Sequence, residues 1–189
     1  MPHAPPITSA SIGQPAHFLT FAQLQTAHRA LPPAPQQVGR VHAIVRRGEQ
    51  GLRASLPHVH LTPTSGIPGD AWGRRENPKL DGQLTVMQRE IAELIANGQP
   101  LELFGDNLIV EFDLAEPQLP IGAQLTMGTA TFEVTPKPHN GCKKFLVRFG
   151  ADALRFVSLP ETRPLNLRGV YMRVIEAGDV QVGDPIRRL

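Results

Sequence analysis

The chain has little of what would make its class obvious. It carries one cysteine, Cys142, in 189 residues, so no internal disulfide can form and a secreted disulfide scaffold is excluded. Nowhere do about 18 apolar residues run together, and no basic stretch followed by an apolar run opens the chain. Neither a membrane span nor a signal peptide is therefore expected. The formal charge of +2 is too small for a duplex nucleic-acid partner, which needs a concentrated basic face. Familiar motifs are missing as well: no Gly-Lys-Ser/Thr phosphate loop, no G-x-G-x-x-G fingerprint and no G-x-S-x-G nucleophile elbow. What remains is the expectation of a cytoplasmic protein with one domain, long enough to bury its own core.

What is present starts with a segment unlike the rest. Residues 1–37 hold seven of the nineteen prolines, no Asp or Glu, and Arg29 as their only fixed cation. They read as a proline-rich N-terminal arm on a main domain spanning 38–189. Within the arm, Phe18, Phe21, Leu24 and Leu31 recur at roughly helical spacing. This predicts a short amphipathic helix over 17–31, docked on the domain or on a second subunit, before Pro32-Pro33 stops it. The proline density on both sides equally suits a disordered tail.

From Val38 onward, short alternating runs are separated by Gly, Pro, Asn or Asp, the punctuation of antiparallel strands. Strands are predicted over 39–47, 58–61, 108–112, 124–127, 129–135, 170–176 and 185–188, with Met127-Gly128-Thr129 as a close hairpin join. Residues 84–87 read as a further strand. Residues 88–96 carry Ile91, Leu94 and Ile95 on a helical stripe that stops at Asn97-Gly98, and a second short helix is expected over 152–157. Many short strands, few helices and no βαβ alternation predict a mainly β fold, a closed or nearly closed barrel.

The chemistry centres on Cys142, within Lys137-Pro138-His139-Asn140-Gly141-Cys142-Lys143-Lys144. No carboxylate lies between Glu133 and Asp152. A thiol is nucleophilic only as the thiolate, which nearby cations favour, and Lys137, Lys143, Lys144, Arg148 and His139 surround this one in sequence. The Pro and Gly beside it imply a turn near the surface. The competing reading is a buried filler cysteine with a raised pKa. A second candidate is Gly66-Ile67-Pro68-Gly69-Asp70-Ala71-Trp72-Gly73-Arg74-Arg75, a glycine-rich turn whose amides and two guanidinium forks suit an anion, or else a plain β-turn with a solvated charged edge. His58 and His60 share one side of a strand as a possible metal pair, but no third ligand stands at recognisable spacing, so they read as surface histidines. A thiol hydrolase pairing Cys142 with a distant histidine stays compatible, because triad partners need not be near in sequence.

Six segments taken in order form a recognisable series: Gly66-Ile67-Pro68-Gly69-Asp70, Phe104-Gly105-Asp106-Asn107-Leu108, Ile121 to Gly128, Gly141-Cys142-Lys143-Lys144-Phe145, Arg168-Gly169-Val170-Tyr171-Met172-Arg173-Val174, and Gly178 to Asp184. Over about residues 39–189 the chain resembles a MOSC domain, the module found at the C-terminus of molybdenum cofactor sulfurases and in free-standing bacterial proteins. The resemblance implies a barrel like the pyruvate kinase β-barrel domain. It also implies that Cys142 carries sulfur as a persulfide or ligates the molybdenum of a pterin cofactor, and that Gly69, Asp70 and Asn107 match the family's Gly-Asp turn and Gly-Glu-Asn segment. Three departures stand out. Gly141 replaces a usual proline, Asp106 a usual glutamate, and Trp72 a frequent histidine near the Gly-Asp turn.

A molybdopterin bears a phosphate, thiolates and a metal, so cations beside a soft sulfur suit it. Arg74, Arg75, Lys143, Lys144 and Arg148 are the candidate cofactor-binding cations, with Cys142 as sulfur and metal ligand. The same cations favour an anionic persulfide. The resemblance further implies a sulfur donor or a partner reductase, in the reduction of N-hydroxylated compounds; pyridoxal phosphate is not expected. The alternative is a noncatalytic protein-binding or thiol redox-sensing barrel.

Overall fold

Seven strands close on themselves around an apolar interior. The computed structural model describes residues 12–189, so the first eleven residues of the arm lie outside the described residues. In chain order the elements are α1 (Phe21–Ala30), β1 (Val38–Arg47), β2 (Arg53–Leu56), β3 (His58–Leu61), β4 (Leu84–Gln88), α2 (Arg89–Ala96), β5 (Leu108–Glu111), β6 (Gln124–Met127), β7 (Ala130–Val134), α3 (Lys143–Phe156), β8 (Val170–Glu176), β9 (Gly178–Gln181) and β10 (Pro185–Arg188). The ring runs β1-β10-β6-β7-β8-β4-β5 and back to β1. Strand β2 is added on β1, and β3 with β9 forms a separate ribbon. Closure removes the unpaired edges that an open sheet would present.

The expected barrel is there, with one local exception to the expected connectivity. Strands β4 and β5 pair in parallel, Val86 opposite Leu108. Parallel neighbours cannot be joined by a tight turn, and α2 sits in the crossover between them. One βαβ unit is thus built into an otherwise antiparallel barrel. The hairpin at Met127 is as expected, with Met127 opposite Ala130 and Gly128 at φ 57.

Strand alternation divides the apolar residues between two cores. Val41, Ile44, Leu84, Val86, Leu108, Val110, Phe132 and Met172 fill the barrel. Met87 and Ile109, one position out of phase, face outward into a second core with Ile91, Ile95, Phe104, Phe145, Phe149 and Phe156. That outer core packs the helices on the barrel wall and fixes the start of α3.

The arm is docked over its described part. Thr20 caps α1 in a reciprocal box with Gln23, and Leu24 is wholly buried in the outer core, worth about 1.5–3 kcal/mol. Helix α1 starts four residues later than the spacing predicts, because Pro15–His17 form a separate 3-10 turn. The largest difference concerns α3, expected only over 152–157. It begins at Lys143, and its backbone leaves the helical region at Gly150 (φ 88, ψ 169). The Phe18 ring packs there, and a Cβ on residue 150 would come within 2.9 Å of it.

Candidate functional site

Cys142 is exposed and occupies the N-cap of α3, with no side-chain cap bond. Lys143 and Lys144 follow it, exposed, and the first turn carries no acidic residue. The start of a helix is already electropositive, so two lysines there add like charge to like and leave a net demand for an anion. The stretch is held from below: Phe149 stacks on Phe104 with centroids 4.1 Å apart, and Phe145 packs on Phe149 at 5.0 Å. Gly141 packs closely, since a Cβ there would lie 2.2 Å from the end of the Leu154 side chain and would make it shift.

One turn into the helix, Arg148 leads to a cluster of buried arginines. Arg148 is 4% exposed and donates from Nη1 to the Leu103 carbonyl at 2.9 Å. Burial pushes its pKa down while the charge of Cys142 opposes this, which places the two within electrostatic reach. Arg53, on β2, is 6% exposed, and its guanidinium lies over Gly105, where a Cβ would stand 3.0 Å from Nε. Burial, then Arg148 and Arg47, lower its pKa to about 10, so it stays charged at neutral pH. Its Nε and Nη1 are buried without a hydrogen-bond partner.

Asp106 is the carboxylate at the centre. Its Oδ2 accepts from Arg168 Nη1 at 2.6 Å, and its Oδ1 faces His139 Nε2 at 3.5 Å without a hydrogen bond. Burial alone would raise this carboxyl, but Arg168 outweighs it by charge and hydrogen bond and holds the pKa below the ordinary value. For His139 burial acts first, then Arg168, and the imidazole is pushed down to about 3 despite Asp106. The ring packs on Tyr171 at 4.7 Å. Two nitrogens of the cluster, His139 Nδ1 and Arg168 Nε, are buried and unpartnered.

The Gly-Asp turn is built differently. Gly69 turns at φ 74, and Asp70 beyond it is 2% exposed. Asp70 Oδ1 accepts from the Arg47 backbone at 2.8 Å and from Asn107 Nδ2 at 3.0 Å. Its Oδ2 accepts from Arg47 Nη2 at 2.6 Å and from the Trp72 backbone at 2.9 Å. Asn107 completes the set by accepting from the Thr85 backbone and donating to the Val45 carbonyl. Arg74 ties the turn to the carbonyls of Gly69, Arg47 and Gly48, and Arg75 is exposed.

Among the sequence candidates, Cys142, Lys143, Lys144 and Arg148 therefore stand together. Asp70 and Asn107, expected to bind the cofactor, spend their polar atoms on each other, on Arg47 and Thr85 and on the backbone, which makes them a brace for the turn. Arg74 is likewise engaged with backbone carbonyls. Two residues counted around the thiol belong elsewhere: Lys137 lies over the Tyr171 ring at 4.8 Å, and His139 faces Asp106. Trp72 is a buried plug whose Nε1 donates to the Lys79 carbonyl at 2.9 Å. His58 and His60 both face Asp179, yet no group of three His, Cys, Asp or Glu side chains among the described residues is arranged to hold a metal.

Sequence reasoning gave no role in the site to Arg53, Asp106 or Arg168, and it counted His139 around the thiol rather than beside Asp106. Asp106 and Arg168 stand inside the motif segments and His139 in the cysteine loop, so each was visible. Arg53 carries no sequence signal, since β2 lacks the apolar alternation that marks the other strands.

Barrel, exposed thiol at a helix start and buried arginine cluster define a β-barrel protein with a cationic cysteine site. The MOSC domain family model matches residues 80–187, more than half of the chain, and the chain belongs to the MOSC domain family. Solved structures agree on the fold. The YuaD protein from Bacillus subtilis is 16% identical at a TM-score of 0.58, covering 82% of this chain and 97% of that one. YiiM from Escherichia coli is 23% identical at 0.54, covering 79% and 69%. A hypothetical protein is 24% identical at 0.60, covering 81% and 69%. No curated protein matches the chain significantly. No helix among the described residues is long and apolar enough to cross a membrane.

Proposed function

We propose that this MOSC protein binds a molybdenum cofactor at Cys142 and takes part in the reduction of N-hydroxylated compounds, with electrons supplied by a partner reductase. The observation that carries the reading is the charge imbalance in the arginine cluster. Arg53 is buried with two unpartnered donors and acts on Arg148, which in turn feels the charge of the exposed cysteine that opens a lysine-flanked helix. A buried guanidinium without a counter-charge is costly, and a phosphate-bearing ligand would relieve it with charge-assisted bonds. The donor set fits a molybdopterin: a soft sulfur for the metal, and Arg53, Lys143 and Lys144 for the phosphate. When bound, such a cofactor supplies a metal centre that exchanges two electrons with substrate. The chain's own part is to present the sulfur at a fixed helix start and to hold the anion.

A second reading rests on the exposure of the thiol. An accessible cysteine in a cationic setting also suits a persulfide, and Cys142 would then pass sulfur between a donor and an acceptor. One experiment separates the two. Protein purified anaerobically, with and without co-produced molybdenum cofactor, is compared with Cys142→Ser by metal analysis and intact mass. Cysteine-dependent molybdenum and pterin support cofactor binding. A cysteine-dependent gain of about 32 Da, one sulfur atom, supports sulfur carriage. Neither signal in either preparation sinks both readings and leaves a noncatalytic binding or redox-sensing barrel.

A further inference from the structure

Between the cysteine loop and the segment after α3 lies a cavity of about 380 Å³, lined among others by His139, Asn140, Ser158, Arg163, Asn166 and Arg168. Neither Cys142 nor any of the cations assigned to the cofactor lines it, and no carboxylate does. Two of its walls are more than nine-tenths buried, with side-chain exposures of 6% for His139 and 8% for Arg168. Each keeps one nitrogen without a partner, Nδ1 of the imidazole and Nε of the guanidinium. Native interiors seldom leave such groups unpaired; a ligand that accepts hydrogen bonds would satisfy Arg168 Nε, and the imidazole nitrogen once it carries a proton.

Asp106 decides what the imidazole can offer. One of its oxygens is taken by Arg168 at 2.6 Å and the other faces His139 Nε2 at 3.5 Å. An ionised carboxylate only accepts, so it favours the tautomer with the proton on Nε2. In the neutral ring Nδ1 is then a lone pair, and an oxyanion drawn in by two arginines would be repelled by it. A second proton on the ring turns that nitrogen into a donor. The charged and titratable groups around the ring are Asp106 before β5, Arg168 before β8, Lys137 in its own loop, Arg47 on β1 and Tyr171 on β8. Burial first, and then the excess of cations over carboxylates there, keep the ring neutral, and a bound anion would offset the cations.

We propose that this cavity binds the phosphate group of a small molecule together with one proton, Arg163 and Arg168 taking the phosphate and His139 taking the proton on Nδ1. Two guanidinium forks suit a phosphate, and the cavity lies within the size range that holds a small organic ligand as well. The proposal stands apart from the cofactor reading, because nothing in it passes through Cys142.

The test is calorimetric titration of the full chain, made without co-produced cofactor, with inorganic phosphate in buffers of different ionisation heat. Saturable binding is expected, with wild type taking up more protons per phosphate than His139→Gln, by up to about one. Arg163 is exposed, so Arg163→Gln leaves the fold alone and is expected to weaken binding by about tenfold, the loss of one charge-assisted contact. Cys142→Ser is expected to bind phosphate as wild type does. The idea is overturned by no saturable binding up to roughly 50 mM, far above a useful affinity, by an unchanged affinity in Arg163→Gln, or by the same proton count in His139→Gln. Acetate binding in preference to phosphate overturns the choice of ligand.

Discussion

Two buried carboxylates in this barrel look alike and are used in opposite ways. Asp70 and Asp106 are 2% and 1% exposed, and each takes an arginine at 2.6 Å, Arg47 and Arg168. Around Asp70 the chain supplies every remaining partner: two backbone amides and the Asn107 amide. Around Asp106 it stops short, leaving Asp106 Oδ1, His139 Nδ1, Arg168 Nε and two nitrogens of nearby Arg53 without partners. Closed polar clusters rigidify a fold, whereas partly satisfied ones cost stability and persist where something else completes them. The difference separates a closed brace from an open cluster, although both sit in motif segments of the same family.

The comparison breaks most visibly at the brace. Asp70→Ala strands the Arg47 guanidinium and the Asn107 amide at once, and a stability loss of about 3–5 kcal/mol is expected from removing one partner of a buried pair. Urea unfolding measures it, and a loss under about 1 kcal/mol, the range of a surface pair, would show that the turn is not braced. The opposite sign is expected at the open cluster. Arg53→Met keeps the length of the side chain and removes a charge that has no carboxylate partner. Protein made without cofactor should be unchanged or more stable by about 1 kcal/mol, while cofactor retention drops. A strong destabilisation by Arg53→Met would place Arg53 with the brace instead.

The barrel was legible because its strands alternate cleanly: 124–127, 170–176 and 185–188 fall where the pattern puts them, as does 58–61 in the separate ribbon. Two strands were not. Arg53–Leu56 has no apolar alternation, since β2 hangs on the outside of β1 and buries an arginine; Gly178–Gln181 was recognised as a motif and not as a strand. Helix α3 was concealed by Gly150, whose left-handed backbone interrupts the period that Phe145, Phe149 and Phe156 would otherwise show. For the site, sequence proximity misled in one direction. His139 and Lys137 are near Cys142 in the chain, but the loop turns both toward Tyr171. Arg53, some ninety residues upstream, arrives from β2 by pairing register alone, and no spacing rule reports that.

The finest distinction between the clusters lies in their response to acid. Asp70 and Asp106 are both held below the ordinary carboxylate range. Their contributions are complete above the unfolded carboxyl value of about 3.9 and are lost only as pH falls below it. His139 acts in a different window. Folded, its pKa is about 3; unfolded, it takes up a proton below about 6.5. Between those values the unfolded state binds the extra proton, so stability falls as pH falls, at up to about 1.4 kcal/mol per pH unit for one group. His28 and His42 are also lowered by burial and add to the same limb, so the informative quantity is a difference. His139→Gln should change little at pH 7.5 and make the stability curve shallower between about pH 4 and 6, by close to one proton. Parallel curves for wild type and variant over that range would mean that the imidazole is already solvated or protonated in the folded chain, and the contrast between a closed and an open cluster would then rest on Arg53, Asp106 and Arg168.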